Sequence, residues 1–158
     1  MRRLAVRPVD AGTAEGAATA AAEIANMSFP FISALYVAVL GFLGTALTIN
    51  VIVNRVHYKV AAGDGGVAKL AQAIRAHANF VEQAPLALII IAFAEASGTN
   101  TRVVHILGMA LVTARLASAY ALNRSLTQSP LRQFGAGISI LVIVAGAAAI
   151  LAARGGLI

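Results

Sequence analysis

The sequence predicts an all-α integral membrane protein, a bundle of four spanning helices. Hydrophobic residues fill 59% of its 158 positions and charged residues 11%, where soluble domains carry about 45–50% and about 25%. So few charges leave a soluble bundle of this size without a hydrated surface. The second observation is four apolar stretches that each reach the roughly 20 residues needed to cross a hydrocarbon core. The third is their pattern: no alternation of period two appears, and an isolated strand leaves its backbone unpaired in lipid, so each stretch reads as a helix. Composition also excludes other classes. Extended disorder requires low hydrophobicity and high charge. With no cysteine, the chain has no disulfide, cysteine zinc site, iron–sulfur cluster or protein thiolate. The net charge of +6 comes from dispersed basic residues that form no stripe for nucleic acid.

Taken in order, residues 1–28 are rich in Ala, Gly and Thr and lack the apolar core of a cleaved signal peptide. They read as a disordered extension ahead of a membrane domain at 29–158. Alternatively, translation begins at Met27 and the chain opens MSFPFISALY. The first predicted span, 31–54, holds no charge. The second, 67–96, carries Lys69, Gln72, Arg75, His77, Asn79 and Glu82 before an apolar run at 85–94. Pro85 removes a backbone donor and frees a carbonyl near Val81, which predicts a kink there. The third span, 102–122, has one interior charge, Arg115, and the fourth, 133–153, has none. The links are AAGDGG at 61–66, SGTN at 97–100 and NRSLTQSP at 123–130. Pro130 sits where a helix start tolerates it best. Loops one and three gather Arg55, Lys59, Lys69, Arg75, Arg124 and Arg132, against Arg102 and Arg154 opposite. The bias of cations toward the cytoplasm therefore puts loops one and three inside and both termini outside.

Ionisable side chains at membrane depth cost about 2.5–3.5 kcal/mol on insertion scales and mark function by default. Arg75, Asn79 and Glu82 are spaced i, i+4, i+7, and Gln72 extends the same face, so span two carries a polar stripe that cannot face lipid. Glu82 needs a cationic partner or a proton. Arg115 on the neighbouring span is the natural counterpart, either as a structural bridge or as part of a ligand site, with Ser118 and Tyr120 on nearby turns. Arg55, Arg75, Arg115 and Arg132 together exceed what one glutamate needs, which points to an anionic ligand. Arg55, Lys59 and Lys69 also suit the role of interfacial anchors. His57 and His105 have no companions at metal-ligand spacing, so no metal is expected. Gly135, Gly137 and Gly146 suit close helix packing.

At RAHANFVEQAP on span two, ARLASAY at 114–120 and SPLRQFG at 129–135, the chain resembles the MAPEG proteins, membrane-associated proteins in eicosanoid and glutathione metabolism. The resemblance covers about residues 30–153. It implies a homotrimer of four-helix subunits, with glutathione as co-substrate bound between neighbours near the cytoplasmic side. By motif position it implies that Arg75, Asn79 and Glu82 contact the tripeptide, that Arg115 binds a carboxylate, and that Tyr120 supports it. Arg132 matches the arginine that stabilises the glutathione thiolate in the eicosanoid enzymes. Two departures stand out: Ala78 replaces a second arginine that some members carry before the asparagine, and Ser118 replaces a histidine or tyrosine. The function implied is a glutathione-dependent transferase or peroxidase acting on hydrophobic electrophiles dissolved in membrane lipid. The alternative is a non-catalytic protein that binds a lipid or anionic metabolite in the same cavity.

Overall fold

The computed structural model describes residues 16–19 and 29–154. Apart from one helical turn at 16–19, the segment read as an extension, including the alternative start at Met27, lies outside the described residues. Four long helices follow: α1 Phe31–Tyr58, α2 Ala68–Ala96, α3 Thr101–Arg124 and α4 Pro130–Arg154. Each is long and apolar enough to cross a membrane. At 1.5 Å per residue, the 28-residue α1 is about 42 Å long, beyond the roughly 30 Å hydrocarbon core.

Two boundaries differ from expectation by three residues or more. α1 continues past Asn54 to Tyr58, because Arg55 and His57 stand where a helix C-terminus favours cations. It stops at Lys59, whose φ of 56° is left-handed and whose neighbour Val60 donates back to the Arg55 carbonyl. α4 begins at Pro130 rather than 133, and Ser129 Oγ accepts from the Arg132 backbone N–H at 3.3 Å. α2 runs unbroken through Pro85.

The middle pair, α2 and α3, holds the bundle together. α1 and α4 each pack on both of them and do not meet each other. α2 turns a ridge of buried alanines inward (Ala73, Ala76, Ala84, Ala87, Ala94). Small residues let backbones approach where lipid supplies no hydrophobic drive between helices. Leu40, Ile91, Val104, Leu107, Leu111 and Val142 fill the core nearer the α2–α3 loop, and Leu47, Ala76, Ala119 and Leu122 fill it nearer loops one and three. Phe42, Val56, Leu141 and Leu151 remain exposed on the outside, as lipid-facing positions should.

Glycines permit close approach between helices, and Gly146 packs as expected, since a Cβ there would overlap Ile90. A Cβ at Gly108 would overlap the Tyr36 ring, whose hydroxyl meets His105 Nδ1 at 2.9 Å. A Cβ at Gly135 would overlap Ser118 Oγ and the Ala114 carbonyl, so α3 and α4 touch there. Gly137, expected to pack in the same way, faces open space.

Candidate functional site

A cavity of about 580 Å³ opens at the end of the bundle that carries loops one and three. It is lined by Arg55, Arg75 and Arg132, with Asp64 and Gly63 from loop one, Leu126 from loop three, and Ala71, Ile74 and Ala78 of α2. Three helices thus bring one guanidinium each. The volume lies within the roughly 300–1,000 Å³ of small-molecule sites.

Backbone carbonyls aim two of these side chains. Arg55 Nη1 donates to the carbonyls of Gly63 at 3.0 Å, Ala61 at 3.3 Å and Val60 at 3.5 Å. That folds the glycine-rich loop back over the end of α1. Arg132 Nη1 donates to the Leu126 carbonyl at 3.1 Å. In both residues the second Nη has no partner among the described residues, so it remains available to an anion. Arg75 behaves differently. Its Nη1 and Nη2 reach two turns along α2 to the Glu82 carboxylate, at 2.9 and 3.4 Å. This is the one ion pair among the described residues, and its side chains are 43% and 51% exposed.

Arg115 sits elsewhere. It is 1% exposed, the largest fully buried side chain, and does not line the cavity. Nor does it pair with Glu82: the bridge expected between them is absent. Instead Arg115 Nη1 donates to the Asn79 carbonyl and Oδ1 at 3.4 and 3.3 Å. Its Nη2 donates to the Gly135 carbonyl at 2.8 Å and to Ser139 Oγ at 2.5 Å. Asn79 is therefore held by Arg115 rather than presented to the cavity. Tyr120 is 54% exposed, and the Arg124 guanidinium lies 4.6 Å from its ring centre.

Of the six residues singled out in the sequence, the cavity thus collects Arg75 and Arg132. Glu82 reaches it through Arg75, Asn79 and Arg115 stand behind it, and Tyr120 lies outside its lining. Arg55 joins it, as the surplus of arginines implied, rather than serving only as an anchor. Asp64 was missed. Its Oδ1 accepts from the Gly66 N–H at 3.0 Å, and a lone acid in a glycine-rich turn between basic helix ends was the available signal. The cavity wall on α2 is the 71/74/75/78 face, one step round from the stripe at 72/75/79/82. Arg75 is the residue common to both.

The opposite end was also unread. Glu95, the last charge of α2, accepts from the Ile32 N–H at 2.9 Å, the Ser33 N–H at 2.7 Å and Ser33 Oγ at 2.5 Å. It caps α1 in place of Pro30, which offers no side-chain cap.

The sequence has counterparts among known proteins. The chain is similar to the "Inner membrane protein YecN" of Escherichia coli strain K12, with 39% identity over 95 residues covering 60% of this chain and 72% of the relative. The YecN of Escherichia coli O6:H1 matches to the same extent. No solved structure matches the chain. The model of the MAPEG family matches residues 33–152; this four-span membrane protein belongs to the MAPEG family.

Proposed function

We propose that the protein is a glutathione-dependent transferase or peroxidase acting on hydrophobic electrophiles that reach it through the lipid. The observation that carries this reading is the convergence of Arg55, Arg75 and Arg132 on one cavity. Ionised glutathione carries two carboxylates, one thiolate and one ammonium. Three guanidiniums complement the three anions, and Asp64 at the rim, or Glu82 once freed from Arg75, complements the cation. Guanidinium recognition of carboxylates is bidentate and stays charged at any physiological pH.

Arg132 is assigned the thiolate. A guanidinium cannot take the proton itself, but its charge lowers the thiol pKa, so the proton leaves to water and the nucleophile persists. In the transferase reaction a carbon–sulfur bond forms while the leaving group departs with its electron pair. In the peroxidase reaction the thiolate attacks a peroxide oxygen, the O–O bond breaks, and a second glutathione completes the disulfide. The protein needs no thiol of its own for either. The reading also takes the assembly to be a homotrimer in the inner membrane, with loops one and three cytoplasmic. The half-exposed Arg75–Glu82 pair supports the assembly, since an ion pair well inside a spanning helix needs a neighbouring subunit or water over it.

The non-catalytic alternative draws on Ala78, which lines the cavity where some members carry another arginine. That leaves fewer donors around the ligand. Purified protein with glutathione and either a chlorinated nitrobenzene or a lipid hydroperoxide decides: conjugate or glutathione disulfide supports the enzyme, glutathione binding without turnover supports a non-catalytic protein that binds an anionic metabolite, and absence of glutathione binding refutes the enzyme.

A further inference from the structure

The geometry points to Arg115 as a positioning residue that sets the spacing between Arg75 and Arg132 without touching the ligand. This rests on the reading of Arg132 as the thiolate-stabilising group.

Arg115 is a buried cation with no carboxylate partner. All its acceptors are neutral (the Asn79 carbonyl and amide, the Gly135 carbonyl, the Ser139 hydroxyl), and its Nε has no partner among the described residues. Such a group is a poor device for stability. Taking a guanidinium out of water costs more than four neutral hydrogen bonds return, and apolar side chains of similar volume often replace buried charges without loss. What the guanidinium uniquely supplies is reach. From α3 its planar fork holds α2 through one nitrogen and α4 through the other, a span no ammonium can make.

The two helices it joins carry the two arginines. On α2, Asn79 lies one turn beyond Arg75. On α4, Gly135 and Ser139 follow Arg132 at three and seven residues, on nearly the same face. Ser139 Oγ donates in turn to the Gly135 carbonyl at 3.0 Å, so that carbonyl is held twice. Gly135 also sits against Ser118 and Ala114 of α3, which fixes the rotation of the α4 turn from which Arg132 enters the cavity.

The test uses Arg115→Met, close in length and uncharged, with three readouts: melting temperature without glutathione, hydrogen exchange over residues 129–140, and the pH midpoint of bound-thiolate absorbance. The expected result is a melting temperature no lower than wild type, exchange in that segment about tenfold faster, and a thiolate midpoint moved up toward that of free glutathione. Glutathione affinity should change less than the midpoint does. Arg115→Lys, which keeps the charge but not the fork, should rescue neither exchange nor midpoint. Ser139→Ala should shift both in the same direction by less, and it decides the matter if Arg115→Met does not fold. A lower melting temperature with unchanged exchange and unchanged midpoint overturns the proposal and leaves Arg115 as structural glue. If the wild type forms no bound thiolate, the reading of Arg132 fails instead. Hydrogen exchange without ligand then still judges whether Arg115 holds α4, and unchanged exchange overturns that too.

Discussion

At the end of the bundle where α1 begins, the polar side chains that meet neighbouring helices are tied in. Glu95 accepts three hydrogen bonds from the first turn of α1, and the Tyr36 hydroxyl meets both the ring and the carbonyl of His105. The pocket at this end, formed by the α2–α3 loop and the alanines of α4, has no charged residue in its wall. At the other end, Arg55 and Arg132 are each tethered by a single nitrogen, to three backbone carbonyls and to one, and line a cavity. Satisfied charge fastens helices; partly satisfied charge, fixed in direction, is free to meet an anion. In the proposed reading the difference separates residues that hold the fold from residues that hold a ligand.

Substitutions at the two ends should therefore move different quantities. The largest effect is expected from Arg132→Ala. Removing one preorganised charge from a developing or stabilised anion costs about 10²–10³-fold in turnover, seen in steady-state conjugation rates, while glutathione affinity changes far less. Next comes Glu95→Ala, which orphans the α1 donors. Hydrogen bonds to a charged group are worth about 1.5–3 kcal/mol, so chemical denaturation should show a loss of that order with glutathione affinity unaltered in the folded fraction. A loss of affinity with intact stability would erase the distinction between the ends.

Arg75→Ala sharpens the comparison, because this arginine is paired with Glu82 and also lines the cavity. Calorimetry should show glutathione binding weakened by about tenfold, the equivalent of about 1.4 kcal/mol, together with some loss of stability as Glu82 loses its partner. The smallest effect belongs to Asn50→Ala. Asn50 donates to Asn123 across α1 and α3 at 2.9 Å, and such bonds between membrane helices average about 0.6 kcal/mol. Thermal unfolding should shift slightly, and binding should not.

Much of this organisation is legible in the sequence. The four spans follow from apolar length alone, and the gathering of arginines toward loops one and three follows from where they stand on those spans. Arg75 and Arg132 can be chosen by position, since each falls near a helix end that the loops bring together. What could not be read is pairing across distance. Nothing local marks Glu95, because its partners, Ile32 and Ser33, lie 63 and 62 residues away. Arg115 looked like a partner for Glu82, since opposite charges on adjacent helices suggest a bridge. A residue three positions before Glu82 on α2, Asn79, and two on α4 take it instead. Helix periodicity fixes which residues share a face, but the rotation of one helix against another depends on close contacts such as Gly135 on Ser118. A single glycine in an apolar span gives no hint of which neighbour it admits.

The central claim is that the arginine-lined end stabilises the anion of a thiol. The direct measurement is the ultraviolet absorbance of thiolate on adding glutathione to purified protein at neutral pH. Wild type and Glu95→Ala should both show the band in proportion to bound glutathione, and Arg132→Ala should bind glutathione but show little of it. A wild type without the band, or an Arg132→Ala variant that keeps it in full, would contradict the account.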